Sequence, residues 1–201
     1  MNNLTIEDCP IWGSKNTGYL LSHIMQNMRT DLKYLEIGTF IGGSLSAALI
    51  GKKHQAVVID PLDLITDKGS IWDLWNQTID KFGIRDRVRL LRDKCENVTI
   101  TEVGNDIGLF YYDGSHESGH TYTALTRFSH CLVDRAIIVI DDFNIDGGDQ
   151  QHPYIGFTDN PKPVKTDVFR WLSENPYSTL VNITDYFNGQ VIIEYRKIEE
   201  L

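Results

Sequence analysis

Five short apolar runs, spaced along the first 140 residues and separated by stretches of helical character, constrain this chain more than any other feature. They are Tyr34–Ile37, Ala56–Ile59, Val88–Leu91, Ile107–Tyr112 and Arg135–Ile140. Runs this continuously apolar fit strands buried on both faces, and strands alternating with helices form a parallel sheet with helices packed on its two sides. The expected class is therefore α/β. Helical spacing is read in the lead-in segment 19–28, in 45–50, in 70–82, in a short segment opened by the capping box Thr99-x-x-Glu102, in 119–132 and in 164–175. Two closing strands, 179–184 and 190–196, are joined through Asn188-Gly189, a strong hairpin signal.

The first strand carries the most chemistry. Its run ends at Gly38, Gly42 and Gly43 follow, and Ser44 opens the next helical segment. Glycines there let the backbone approach a ligand where a Cβ would clash, and a helix N-terminus offers N–H groups to an anion. The second strand ends in Asp60, near twenty residues after Gly38, where a carboxylate accepts hydrogen bonds from ribose hydroxyls. The third leads into Arg92-Asp93-Lys94, the fourth into Asp113, and the fifth into Asp141-Asp142.

A sheet of this type binds ligands at the carboxyl ends of its strands, so Asp113, Asp141 and Asp142 are expected beside the glycine turn. Three carboxylates without a basic partner repel one another, and a hard divalent cation with oxygen ligands, such as Mg²⁺, removes that penalty. His116 and His120 follow Asp113 one helical turn apart, and an imidazole is the side chain best suited to take a proton at neutral pH. The other reading of each is plain: a helix cap, a solvated loop acid, a packed histidine. His23, His54 and His130 are read as structural.

The spacing Glu36-x-Gly38-x-x-x-Gly42-Gly43 is not the dinucleotide fingerprint G-x-G-x-x-G. It resembles motif I of the class I S-adenosylmethionine (SAM) methyltransferases, although Thr39 and Phe40 stand where many of them carry a further glycine. The acids at the strand ends resemble those of the metal-dependent O-methyltransferases, a group that includes catechol, macrolide-sugar and cephalosporin hydroxylase-like enzymes. The resemblance implies a Rossmann-like, mostly parallel seven-stranded sheet ending in an antiparallel hairpin, with helices on both faces. It implies SAM contacts from Glu36, Gly38, Thr39, Gly42, Gly43, Ser44, Asp60, Asp93 and Asp113. It implies a divalent cation, Mg²⁺ or another, on Asp113, Asp141 and Asp142, with Asp113 and His116 as catalytic residues and His116 as general base. The expected reaction is methyl transfer to a hydroxyl of a small molecule, a sugar or glycosylated metabolite among the options. Alternatives are a non-catalytic SAM or nucleotide-binding module and a metal-dependent hydrolase.

At 201 residues and 41% hydrophobic content the chain fits one domain, 1–201, with a lead-in segment over 1–30 and a lid or substrate loop over 143–163. A formal charge of −9 disfavours nucleic acid and anionic membrane surfaces as partners. Neither a span of about 20 apolar residues nor a secretion signal is read, so a cytoplasmic protein is expected. Cys9, Cys95 and Cys131, three widely spaced thiols, are read as reduced. The resemblance also permits a homodimer.

Overall fold

The computed structural model describes residues 4–144, 162–184 and 189–197. Seven strands form one mixed sheet in the order β5-β2-β1-β6-β7-β9-β8, and a separate two-stranded ribbon, β3-β4, completes the strand inventory of the described residues. The α/β arrangement expected from the alternating runs is thus present, mostly parallel with antiparallel strands at its C-terminal end, which is the Rossmann-like form that the resemblance implies. The chain divides into two compact units, Met1–Val98 and Thr99–Leu201.

In the first unit, helix α1 (Lys15–Asn27) starts four residues before the apolar spacing suggests, because the Ser14 side chain accepts from the Asn16 N–H and caps it. Its stripe of Thr17, Gly18, Leu21, Ser22 and Met25 is buried. Strand β1 (Lys33–Ile37) pairs in parallel with β2 (Ala56–Ile59), and β2 with β5 (Val88–Leu91). Helix α2 (Gly43–Leu49) is buried along its whole length. Between β2 and helix α3 (Ile71–Lys81), the two-residue strands β3 (Ile65–Thr66) and β4 (Gly69–Ser70) make a small ribbon that leaves Ile65 82% exposed. No periodicity announces a ribbon of four residues, so it was not expected.

The second unit opens with α4 (Ile100–Val103), held by the expected capping box: Glu102 N–H donates to Thr99 Oγ1, and the Thr99 N–H and hydroxyl donate back to Glu102. Strand β6 (Ile107–Tyr112) is buried at every residue and runs parallel to β7 (Leu132–Ile140). Helix α5 (His120–Phe128) is shorter than the 119–132 segment suggests. A 3-10 turn over Ser129–Cys131 ends it, and the chain is already in β7 at Leu132, with a left-handed Arg135 where the pairing shifts. Helix α6 (Pro163–Glu174) turns Val164, Asp167, Val168 and Trp171 inward. Strand β9 (Gln190–Glu194) pairs antiparallel with β7 and with β8 (Thr179–Thr184), the second pairing being that of the expected hairpin, whose Asn188 lies outside the described residues. The expected lid segment falls almost wholly outside the described residues.

Candidate active site

The first unit builds the glycine turn from three left-handed residues, Gly38 (φ 82°), Phe40 (φ 49°) and Gly42 (φ 81°). Glycine adopts this conformation freely, whereas a side chain there costs about 1–2 kcal/mol, so something must hold Phe40. Asp60 does. Its Oδ2 accepts the N–H groups of Thr39 (2.8 Å) and Phe40 (3.0 Å), while Oδ1 accepts that of Leu62 (2.8 Å), itself left-handed at φ 49°. Burial raises the carboxyl's pKa, and the three N–H donors work against that rise. The residue expected to meet a ribose is therefore already the clamp of the turn. Below it, fully buried Glu36 receives the Ser44 hydroxyl at 2.6 Å, tying the strand end to the start of α2.

Two of the expected cofactor contacts have structural partners. A Cβ on Gly43 would lie 2.6 Å from the Pro10 carbonyl carbon and 2.7 Å from the Ile11 nitrogen, nearer still to the Pro10 oxygen. The space this glycine leaves is filled by the chain's own N-terminal segment. Exposed Asp93 closes the turn after β5, where Oδ1 accepts from Lys94 N–H and Asn97 Nδ2 at 2.7 Å each. Its carboxyl is held below the usual range by the Asn97 and Lys94 hydrogen bonds. Gly42 sits against Trp75 and Ile79 of α3, and the Thr39 hydroxyl is buried with no hydrogen-bond partner among the described residues.

In the second unit, the acids after β6 and β7 come together with an imidazole. His116 Nε2 lies 2.8 Å from Asp142 Oδ2 and 3.8 Å from Asp113 Oδ1, off the line that a well-aligned hydrogen bond needs. One ligating atom from each of Asp113, His116 and Asp142 falls within 4.8 Å of the others. The loop that carries the first two is fixed from beneath: Tyr112 donates its hydroxyl to the Ser115 carbonyl at 2.7 Å, and its ring lies under Gly114. Asp142 is left-handed at φ 54°, a further strained residue at a candidate site position.

Asp141, expected as a third ligand, lies outside that three-residue group and is held by hydrogen bonds of its own. Its Oδ2 accepts the Tyr111 hydroxyl at 2.5 Å and the Gln190 amide at 3.2 Å, and its Oδ1 accepts the Asp142 N–H at 2.9 Å. Tyr111 also reaches Asp113 Oδ2 at 3.3 Å, so it spans two acids. Tyr111 and Gln190 were missed in the sequence. Their one signal is a polar end on residues that the strand pattern buries.

Charge follows this geometry. Burial pushes Asp141 up to about 7, reinforced by the Asp113 and Asp142 charges. Burial also raises Asp113, tempered by the 36% of its side chain left in solvent and opposed by His116. For His116, burial alone would lower the pKa, yet the two carboxylates outweigh it and hold the imidazole up to about 10. A base at neutral pH must be unprotonated, and with the two acids as its partners His116 instead carries a proton. His120 is 3.4 Å from Glu117, whereas His54 is buried against the Met28 carbonyl and His23 lies beside Asn27.

The donor set fits a divalent cation. The Asp113 and Asp142 oxygens are hard donors of the kind such an ion takes, and they lie with the His116 nitrogen within 4.8 Å of one another; two bonds of about 2.0–2.2 Å to one ion reach about 4.4 Å, so donors at the outer limit would have to draw together on binding.

Comparison with known proteins agrees with the fold. Residues 35–143 match the family model described as a methyltransferase domain. The uncharacterized protein R132 of Acanthamoeba polyphaga mimivirus is 30% identical over 138 residues, 63% of this chain and 61% of its own length, so the chain spans about three fifths of that relative. A protein from Corynebacterium glutamicum superposes with a TM-score of 0.71 at 16% identity, over 95% of this chain and 85% of its own. TomG, an O-methyltransferase of tomaymycin synthesis from Streptomyces achromogenes solved with SAM, gives 0.67 at 16% identity over 94% and 83%. An O-methyltransferase from Bacillus cereus in complex with SAH gives 0.63 at 13% identity over 94% and 86%. At these identities the solved structures establish the fold.

Proposed function

The chain belongs to the methyltransferase-domain family, whose model matches more than half of it, and from that premise we propose that it transfers the methyl group of SAM to a hydroxyl of a small molecule. A sugar or glycosylated metabolite is the favoured acceptor class. The glycine turn held by Glu36 and Asp60 takes the donor. The Asp113–His116–Asp142 group prepares the acceptor, and that group carries the proposal, because a module that only bound SAM would need no imidazole between two carboxylates. Fold neighbours solved with SAM or SAH support the donor assignment. A net charge of −9 favours an uncharged metabolite over a nucleic acid.

Asp113 and Asp142 would hold a divalent cation, which would supply counter-charge to the carboxylates and lower the pKa of a hydroxyl bound to it, leaving His116 outside its ligands. His116 acts as the base from its unprotonated form, which neutralisation of the two carboxylates would favour, and its Nε2 then accepts the proton of the acceptor hydroxyl. The acceptor oxygen then bonds to the methyl carbon, the carbon–sulfur bond breaks, and its electron pair stays on sulfur as the sulfonium becomes the neutral thioether of S-adenosylhomocysteine (SAH). Tyr111 and Asp141 hold Asp113 and the Asp142 backbone in register throughout.

The test is transfer of isotopically labelled methyl from SAM to a panel of hydroxylated sugars and glycosides, with Mg²⁺ or Mn²⁺ and with EDTA. Asp142→Asn should lower turnover by about 100-fold or more while leaving SAH binding intact. Turnover that survives both EDTA and Asp142→Asn would remove the cation from the proposal.

A further inference from the structure

We infer that the N-terminal strap, residues 9–13, belongs to the cofactor turn, with Trp12 as the positioning residue that holds Phe40, and through it the turn, in its donor-binding shape. The inference rests on the reading that the glycine turn receives SAM.

The strap lies on the turn by design of both surfaces. Gly43, the first residue of α2, has no Cβ where the Pro10 carbonyl passes, and Gly18 of α1 has none where Ile11 packs. Upstream, the strap is anchored on three sides. Lys15 Nζ donates to the carbonyls of Ile6, Glu7 and Cys9, Lys81 Nζ donates to that of Asp8 at 3.1 Å, and the Tyr19 hydroxyl donates to Glu7 at 2.6 Å. A segment tied down this way delivers its next large side chain to a fixed place.

That side chain is Trp12, which is 72% exposed, so core burial does not explain it. What it does touch is Phe40: the rings meet edge to face at 5.4 Å and 82°. Phe40 is the one side chain in the turn forced into the left-handed region, and its N–H is one of the two that Asp60 Oδ2 clamps. Removing the indole takes away the contact opposing Phe40's relaxation, and relaxation pulls the Thr39 and Phe40 N–H groups off Asp60. A ligand binding to the relaxed turn would then have to reorder it, which weakens affinity.

The experiment uses the full chain, with Trp12→Ala and Trp12→Phe measured beside the parent. Amide hydrogen exchange at Thr39 and Phe40 is followed without ligand, SAH affinity by calorimetry, and global stability by urea. From the size of one edge-to-face pair, Trp12→Ala should speed exchange at these two amides and weaken SAH binding by about five- to tenfold, at an unchanged urea midpoint. Trp12→Phe, which restores a ring, should recover most of both. Exchange and affinity equal to the parent would overturn the inference, as would a fall in stability with exchange rising everywhere. If the parent itself fails to bind SAH, the donor reading falls, and the local exchange comparison alone still decides whether Trp12 holds the turn.

Discussion

His116 is where the chemistry of this chain is most exposed to test. The two carboxylates stabilise its charged form, so the sign of its contribution is fixed. Folded-state pKa is raised to about 10 from the ordinary value of 6.5, and the stability it lends is complete below about pH 6.5 and lost as pH climbs through about 10. In EDTA-treated protein, the His116 imidazole followed by NMR should remain protonated at pH 8, and Asp142→Asn should bring its midpoint down toward the ordinary range. A native midpoint near 6.5 would show that the 2.8 Å approach to Asp142 is not an ion pair. Single residues were also where the sequence was least legible. Asp113, His116 and Asp142 announce themselves as polar groups at the ends of apolar runs. Asp167 does not: it sits in the inward stripe of α6, buried, where its Oδ2 accepts the N–H groups of Gly119 (2.8 Å) and Tyr122 (3.2 Å) at the start of α5. An acid at a core position of an amphipathic helix is the signal, and its partner lies too far along the chain for spacing to reveal. The Tyr111 brace between Asp113 and Asp141 hides for the same reason.

At the scale of elements, strands and helices were legible where burial alone sets them. The runs 34–37, 56–59, 88–91 and 107–112 recur as β1, β2, β5 and β6, because a near-continuous apolar run carries most of its own strand signal, even with Glu36 in β1 and with Arg89 in β5, which is only partly buried. Elements set by contacts were not legible: the β3–β4 ribbon, the early start of β7 at Leu132, and the strap over α2. Gly43 separates the two kinds of cause. In an open helix position alanine would be favoured over glycine by about 0.5–1 kcal/mol, whereas here its Cβ would strike the backbone of Pro10 and Ile11. Gly43→Ala should therefore destabilise the protein by about 1–3 kcal/mol in urea unfolding, the usual cost of overpacking. A variant as stable as the parent that no longer binds SAH would instead assign the glycine to the ligand.

The whole chain contributes charge, reach and class. Among the described residues no helix is long and apolar enough to cross a membrane. Among the described residues no cysteine is in a disulfide; Cys9 and Cys131 are buried, and burial pushes the Cys9 thiol up to about 11, so it is poorly suited to nucleophilic work at neutral pH. Class was the most legible property of all. The order of apolar runs, glycines and strand-end acids pointed to one family, and the match over residues 35–143 places the chain there. What that family membership most directly requires is a site for the methyl donor or its product. Thermal unfolding with SAH at about 100 times its dissociation constant should therefore raise the midpoint by about 5–10 °C, the equivalent of roughly 2.7 kcal/mol for a chain of this size. A midpoint that stays fixed with both SAM and SAH, with and without divalent cations, would contradict the account.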